Sequence, residues 1–132
     1  MSFTVEQDWA TEAGLRAVVI MGDMGHRCGY VGVPAEHPLH GVGYSEKSPH
    51  LKLNTPEDVF EVHGGITFAG KGAYPVGFDL WWFGYDCGHA GDAPAPGSKM
   101  SKYIVEGDVH RTLEYCVSEC ESLAKQISEV TA

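Results

Sequence analysis

Basic residues are scarce in this chain. Nine Lys and Arg stand against eighteen Asp and Glu, a formal charge of −9 over 132 residues. A protein that grips nucleic acid normally presents a basic face to neutralise phosphates, and no such face can be assembled here. The carboxylates are scattered rather than concentrated, so a nucleic-acid mimic is not indicated either. The acidity is read as a solubility device. Long apolar runs are missing too: no stretch approaches the roughly 20 residues of a membrane span. The opening "MSFTVEQDWATEAG" lacks the basic start and apolar core of a secretion signal. The expectation is a cytoplasmic protein with reduced thiols and neither nucleic acid nor membrane as partner.

Several signatures are also absent. The four cysteines, Cys28, Cys87, Cys116 and Cys120, form no CxxC pair, which removes zinc ribbons and thioredoxin-type motifs. No GxGxxG follows a strand, and GxxxxGK, GxSxG and HExxH do not occur, so phosphate loops, dinucleotide folds, hydrolase elbows and zincin helices are unsupported. Glycine, by contrast, is abundant. Seventeen are present, mostly between Gly22 and Gly97, which places close backbone approach in the middle of the chain. A hydrophobic content of 43% and a single-domain length describe a globular protein that can fold without a staple.

Residues 14–21, "GLRAVVIM", read as a strand, and 27–33, "RCGYVGV", as its hairpin partner, with Cys28, Tyr30 and Gly32 alternating against Arg27, Gly29, Val31 and Val33. From Pro34 to Pro56 periodicity fades, predicting a long ordered loop with one helical turn. "VFEVHGGITFAG" reads as two short strands (59–62 and 66–69) around a Gly–Gly turn, and 80–85 as a central strand. Apolar residues at 109, 113, 116, 117, 120, 123, 124, 127 and 130 predict a helix with Asp108 as N-cap. Cys116 and Cys120, four apart, fall on its apolar stripe and are read as small core residues in preference to a metal pair. The fold class is therefore α+β: a mainly antiparallel sheet with one long C-terminal helix packed on it, residues 1–132 forming one domain.

Three polar clusters sit at predicted strand ends: His26, Arg27, Cys28, His37 and His40; His63 with Gly64; and Asp86, Cys87, His89 and Asp92. Loops at one edge of a sheet converge readily, so a shared site is expected. Three chemistries fit these residue types. A ligand pocket would use His26, Arg27, His37, His63, Asp86, His89 and Asp92 for orienting polar contacts. Tyr30 and Trp82 would supply ring surface, and Gly64 would admit close backbone approach. Arg27, with Arg16 behind it, would meet an anionic group. A zinc site would draw on His26, Cys28, His63, Cys87, His89 and Asp92, although the one-residue spacings match no common signature. A thiol hydrolase would pair Cys87 with His63 or His89 and an Asp. Plain core competes with all three for the tryptophans and cysteines. The pocket asks least of the residues and is preferred, with no cofactor expected and zinc as the alternative.

The phrases "RCGYVGVPAEHPLHG", "VHGGITFAG", "WWFGYDCGHAGD" and "LEYCVSECESLAKQI" resemble a family of small proteins of bacteriophages, prophages and other mobile elements, over about residues 27–127. The resemblance carries over no catalytic residues. It implies a context, the host cell cytoplasm. There, a small acidic protein would act against host systems by sequestering a nucleotide-derived immune signal without turning it over. A small zinc- or thiol-dependent hydrolase is one alternative, and a protein inhibitor using the "HPLHG" loop is another. A homo-oligomer is compatible with each.

Overall fold

A computed structural model describes residues 3–72, 79–103 and 105–131. Five strands form one antiparallel sheet: β1 (Phe3–Ala10), β2 (Arg16–Gly22), β3 (Arg27–Val33), β4 (Phe68–Lys71) and β5 (Trp81–Asp86), in the order β1-β2-β3-β5-β4. The helix α2 (Leu113–Ser128) packs across β2 and β3, and the α+β expectation holds. A four-residue turn, α1 (Pro56–Val59), a two-residue parallel pairing of β6 (Asp92–Ala93) with β7 (Val109–His110), and 3-10 turns at Pro49–Leu51 and Ser101–Tyr103 complete the described elements. No helix among the described residues is long and apolar enough to cross a membrane.

Period-two alternation assigns the faces. Ala17, Val19, Val31, Val33, Phe83 and Tyr85 point to α2 and meet Cys116, Cys120, Leu123, Ala124 and Ile127, all buried. Val18, Tyr30 and Trp82 lie on the opposite face, where the Arg16 guanidinium stands 5.6 Å from the Trp82 ring centroid. Glycine makes room for rings in this sheet. Tyr85 lies over its cross-strand neighbour Gly29, and Tyr30 over Gly84. A Cβ on either glycine would come within 2.4–2.5 Å of the ring. Large aromatics and glycines on paired strands are thus one packing solution, because a ring that lies flat on the sheet needs a neighbour without a side chain.

Three expectations change. The segment 3–10 forms an edge strand that sequence reading did not identify. Its alternation is masked by mixed polar residues and by a register shift between Val5 and Gln7, where Glu6 is the extra residue. The "VFEV" strand does not exist. Thr55 accepts the Asp58 amide and Pro56 occupies the first helical position, so 56–59 form a helical turn. Beyond it the backbone spends its hydrogen bonds on α2 side chains rather than on a strand. Glu61 N donates to Gln126 Oε1, Gln126 Nε2 returns a bond to Glu61 O, and His63 N donates to Glu119 Oε1 at 2.7 Å. The helix also begins later than predicted, with Thr112 rather than Asp108 as cap, its hydroxyl accepting from Tyr115 N. Val109, 48% exposed, matches the helical period by coincidence and is held instead by β6.

The long segment 34–56 is a packed strap. Leu39 and Leu51 are buried, a 3-10 turn spans Pro49–Leu51, and Trp81 Nε1 donates to Val42 O at 2.9 Å.

Candidate functional site

Antiparallel register brings the end of β5, the start of β3 and the start of β4 to one end of the sheet, since Cys28 pairs with Asp86 and Phe68 with Gly84. The β6–β7 pairing then returns residues 109–112 to the same end, where α2 begins. A polar cluster forms there, centred on Asp92, whose side chain is 1% exposed.

Asp92 accepts hydrogen bonds from three groups: His63 Nε2, 2.9 Å from both carboxylate oxygens; Arg111 Nε at 2.8 Å; and the His89 amide at 3.1 Å. Burial pushes this carboxyl up, but the bonds from His63, Arg111 and the His89 amide outweigh it, and its pKa lies below the ordinary value. The carboxylate is therefore ionised and accepts only, which fixes the proton of His63 on Nε2. In the neutral imidazole Nδ1 then accepts from the Tyr115 hydroxyl, 2.7 Å away. Tyr115 stands one turn inside α2, and the Arg111 guanidinium lies 5.3 Å from its ring centroid. Carboxylate, imidazole and phenol thus form a chain in which each member is satisfied.

The rim differs. Arg111 spends only Nε on Asp92, and its two terminal nitrogens have no hydrogen-bond partner among the described residues. His89 lies over Gly64, where φ is +69° and a Cβ would come within 2.4 Å of the imidazole. His89 Nε2 stands 3.3 Å from Asp86 Oδ1, an ion-pair contact if the ring is protonated but not a hydrogen bond, and like His26 Nδ1 and His110 Nδ1 it is a buried nitrogen without a hydrogen-bond partner among the described residues. Asp86 accepts from Gly88 N at 2.9 Å and Thr67 Oγ1 at 3.2 Å, and the His26 ring lies beside Gly88, 3.7 Å from where a Cβ would stand.

Of the residues expected to share a pocket, His63, Gly64, Asp86, His89 and Asp92 come together, and His26 adjoins them. The rest separate. Arg27 reaches the same end but is committed: Nε and Nη2 bind Glu6 at 2.6 and 3.2 Å, and Nη1 donates to Arg111 O at 2.8 Å. Arg16, the second expected anion partner, is paired with Asp8 at 2.7 Å. Tyr30 and Trp82 project from the sheet face opposite α2, Tyr30 edge-on to Phe68 and Trp82 fully buried, so neither joins the Asp92–His63–Tyr115 chain on the α2 side. His37 sits at the far end of the sheet and caps α2. Its Nε2 donates to Ile127 O at 3.0 Å, and its Nδ1 accepts from Leu39 N. Within the "HPLHG" loop Leu39 is buried, His37, Pro38 and His40 are half-buried and Gly41 is exposed.

The thiol reading meets a different partner. Cys87 is 3% exposed and its sulfur lies 3.6 Å from Cys116 Sγ, not against an imidazole. Its contact with Cys116 and its burial push that thiol well above the ordinary range. Among the described residues no group of three His, Cys, Asp or Glu side chains is placed to share a metal ion.

Arg111, Tyr115 and Glu119 belong to the cluster and went unrecognised in the sequence. An isolated arginine one residue before a helix cap, in a chain poor in basic residues, was the available signal. Comparison with known proteins returned no match from family models, curated proteins or solved structures.

Proposed function

We propose that this chain is a phage-type binding protein that sequesters a small anionic, nucleotide-derived molecule at the strand-end cluster, without turning it over. One observation carries the reading. The inner members of the cluster are saturated by one another, while at the rim the terminal nitrogens of Arg111 have no hydrogen-bond partner among the described residues, and the imidazole nitrogens His89 Nε2 and His26 Nδ1 lie buried beside the cluster without a hydrogen bond. A guanidinium whose Nε is fixed by a carboxylate and whose plane is steadied by a phenol ring presents its terminal nitrogens in a fixed geometry. That edge matches the oxygens of a phosphate or carboxylate. Pre-organisation of this kind lowers the cost of ordering a side chain on binding.

The test is mass spectrometry of whatever denaturation releases from the purified protein, beside thermal-shift titration with cyclic and ADP-ribose-type nucleotides. A phosphorus-containing molecule recovered unchanged, and lost from Arg111→Ala, supports the reading. No released ligand and no shift with any of these nucleotides would end it.

A second reading, a small hydrolase, has one specific observation in its favour: the order Asp92–His63–Tyr115 is carboxylate, imidazole, hydroxyl, the arrangement that moves a proton from a hydroxyl to a base. Recovery of a cleaved rather than intact nucleotide, abolished by His63→Gln, would select it. Metal analysis of protein purified without chelator tests the zinc version of the same reading.

A further inference from the structure

We infer that Cys87 and Cys116 form a redox-active pair that closes to a disulfide when the folded protein meets a peroxide. Their sulfurs are in contact at 3.6 Å, so a bond of roughly 2.0 Å needs an approach of about 1.6 Å. Both backbones are anchored. Cys87 N donates to Arg27 O at 2.8 Å, one residue past β5, and Cys116 N donates to Thr112 O at 3.1 Å in the first turn of α2. The side chains therefore face each other from two fixed elements, the sheet end and the helix.

The other thiols are placed elsewhere. Cys120 Sγ lies 3.8 Å from the Tyr85 hydroxyl, and burial pushes its pKa up to about 12. Cys28 projects from the opposite face of the sheet, and burial with the Asp86 charge pushes it up to about 11. Cys116 differs in sign. The hydrogen bond from Cys87 lowers it, burial works against that, and the Tyr85 hydroxyl and the Arg27 charge lower it further, leaving a net depression. Cys116 is thus the more acidic thiol of the pair, the one that supplies the attacking thiolate, and Cys87 is the partner thiol.

The chemistry balances with one hydrogen peroxide. The Cys116 thiolate attacks a peroxide oxygen, the O–O bond breaks, and the departing hydroxide takes up a proton to become water. Cys116 is then a sulfenic acid. The Cys87 sulfur displaces its hydroxyl, the Cys87 proton leaves with that hydroxyl as a second water, and the disulfide forms. Both cysteines are almost fully buried, so the reaction waits on opening of the glycine-rich loop after β5. The resulting staple encloses residues 88–115, the segment that carries His89, Asp92, Arg111 and Tyr115. It restrains that whole segment in the unfolded chain and ties its two ends in the folded one. The inference stands independently of which ligand the cluster holds.

The experiment uses the full reduced chain, treated folded with hydrogen peroxide, then denatured, capped with N-ethylmaleimide and weighed intact, with peptide mapping under non-reducing conditions. Of the four free cysteines, two are expected to take adducts, with Cys87 and Cys116 recovered in one linked peptide. The oxidised protein should melt at a higher temperature than the reduced one, and the rise should vanish in Cys87→Ser and in Cys87→Ala. Four adducts after treatment, linkage through Cys28 or Cys120, or added oxygen on a single cysteine in place of a link would each overturn the inference. The wild-type map decides the matter even if a variant folds poorly.

Discussion

Asp92→Ala is the most informative single change, because it removes the one carboxylate on which three separate segments converge. The substitution strips the partner from the His63 imidazole, from Arg111 Nε and from the His89 amide at once. Each hydrogen bond to a charged group contributes about 1.5–3 kcal/mol, and breaking a buried ion pair from one side costs about 3–5 kcal/mol. These overlap rather than add, and Arg111 regains water at the rim, where its side chain is 26% exposed. The expected loss is about 3–4 kcal/mol of unfolding free energy by urea titration, a large share of the roughly 5–15 kcal/mol typical of a domain. Asp92→Asn keeps one accepting oxygen but turns an amide N–H toward donors, so about half that loss is expected.

The pH dependence carries the same signature. The folded carboxyl has a pKa below its ordinary value, so the folded state binds the proton less readily than the unfolded chain. The contribution is complete above the unfolded value of about 3.9 and is lost as pH falls through the lower folded value. Wild-type protein should therefore lose stability faster than Asp92→Asn on acidification below about pH 4. An Asp92→Ala protein within about 1 kcal/mol of wild type, with an unchanged acid limb, would show that the cluster does not hold these segments together.

Three further outcomes follow from the placements. Arg27→Ala should destabilise by about 3 kcal/mol, because Glu6 and Arg111 O lose a partly buried donor; a Glu6→Gln, Arg27→Ala double-mutant cycle would measure the coupling. His37→Ala should cost about 1–2 kcal/mol through the uncapped Ile127 carbonyl yet leave bound ligand intact, and loss of ligand would return His37 to the site. Gly64→Ala should cost about 1–3 kcal/mol and displace the His89 ring, visible as a shifted imidazole resonance, since φ is positive and the ring occupies the Cβ position.

Much of the architecture was legible in sequence. The β-branched run at 18–20, the alternation in 27–33, the aromatic run at 81–85 and the 3.6-residue period after Leu113 are local patterns, and a local pattern reports what kind of element a segment forms. Those same patterns misassigned 59–62, because an alternating apolar tetrapeptide cannot reveal that Thr55 and Pro56 start a turn or that Glu119 and Gln126 take up the following backbone. They also missed β1, whose residues make sense only beside β2.

The site divides along the same line. Composition and position sufficed to single out His63, Asp86, His89 and Asp92 as polar groups at strand ends. That Asp92, rather than Asp86, is the buried acceptor was decided by the β6–β7 pairing, which carries Arg111 to its side from 19 residues further along the chain, with Tyr115 just beyond it. Trp82 and His37 left the site for a comparable reason: the register sets which sheet face a ring occupies, and the position of the helix end decides which histidine it recruits. Sequence by itself determined the central strands, the C-terminal helix and the residue types available for chemistry, since these follow from neighbours in the chain. Only tertiary structure decided which side chains meet, because a hydrogen bond depends on ångström-scale placement of groups whose separation in sequence carries no such information.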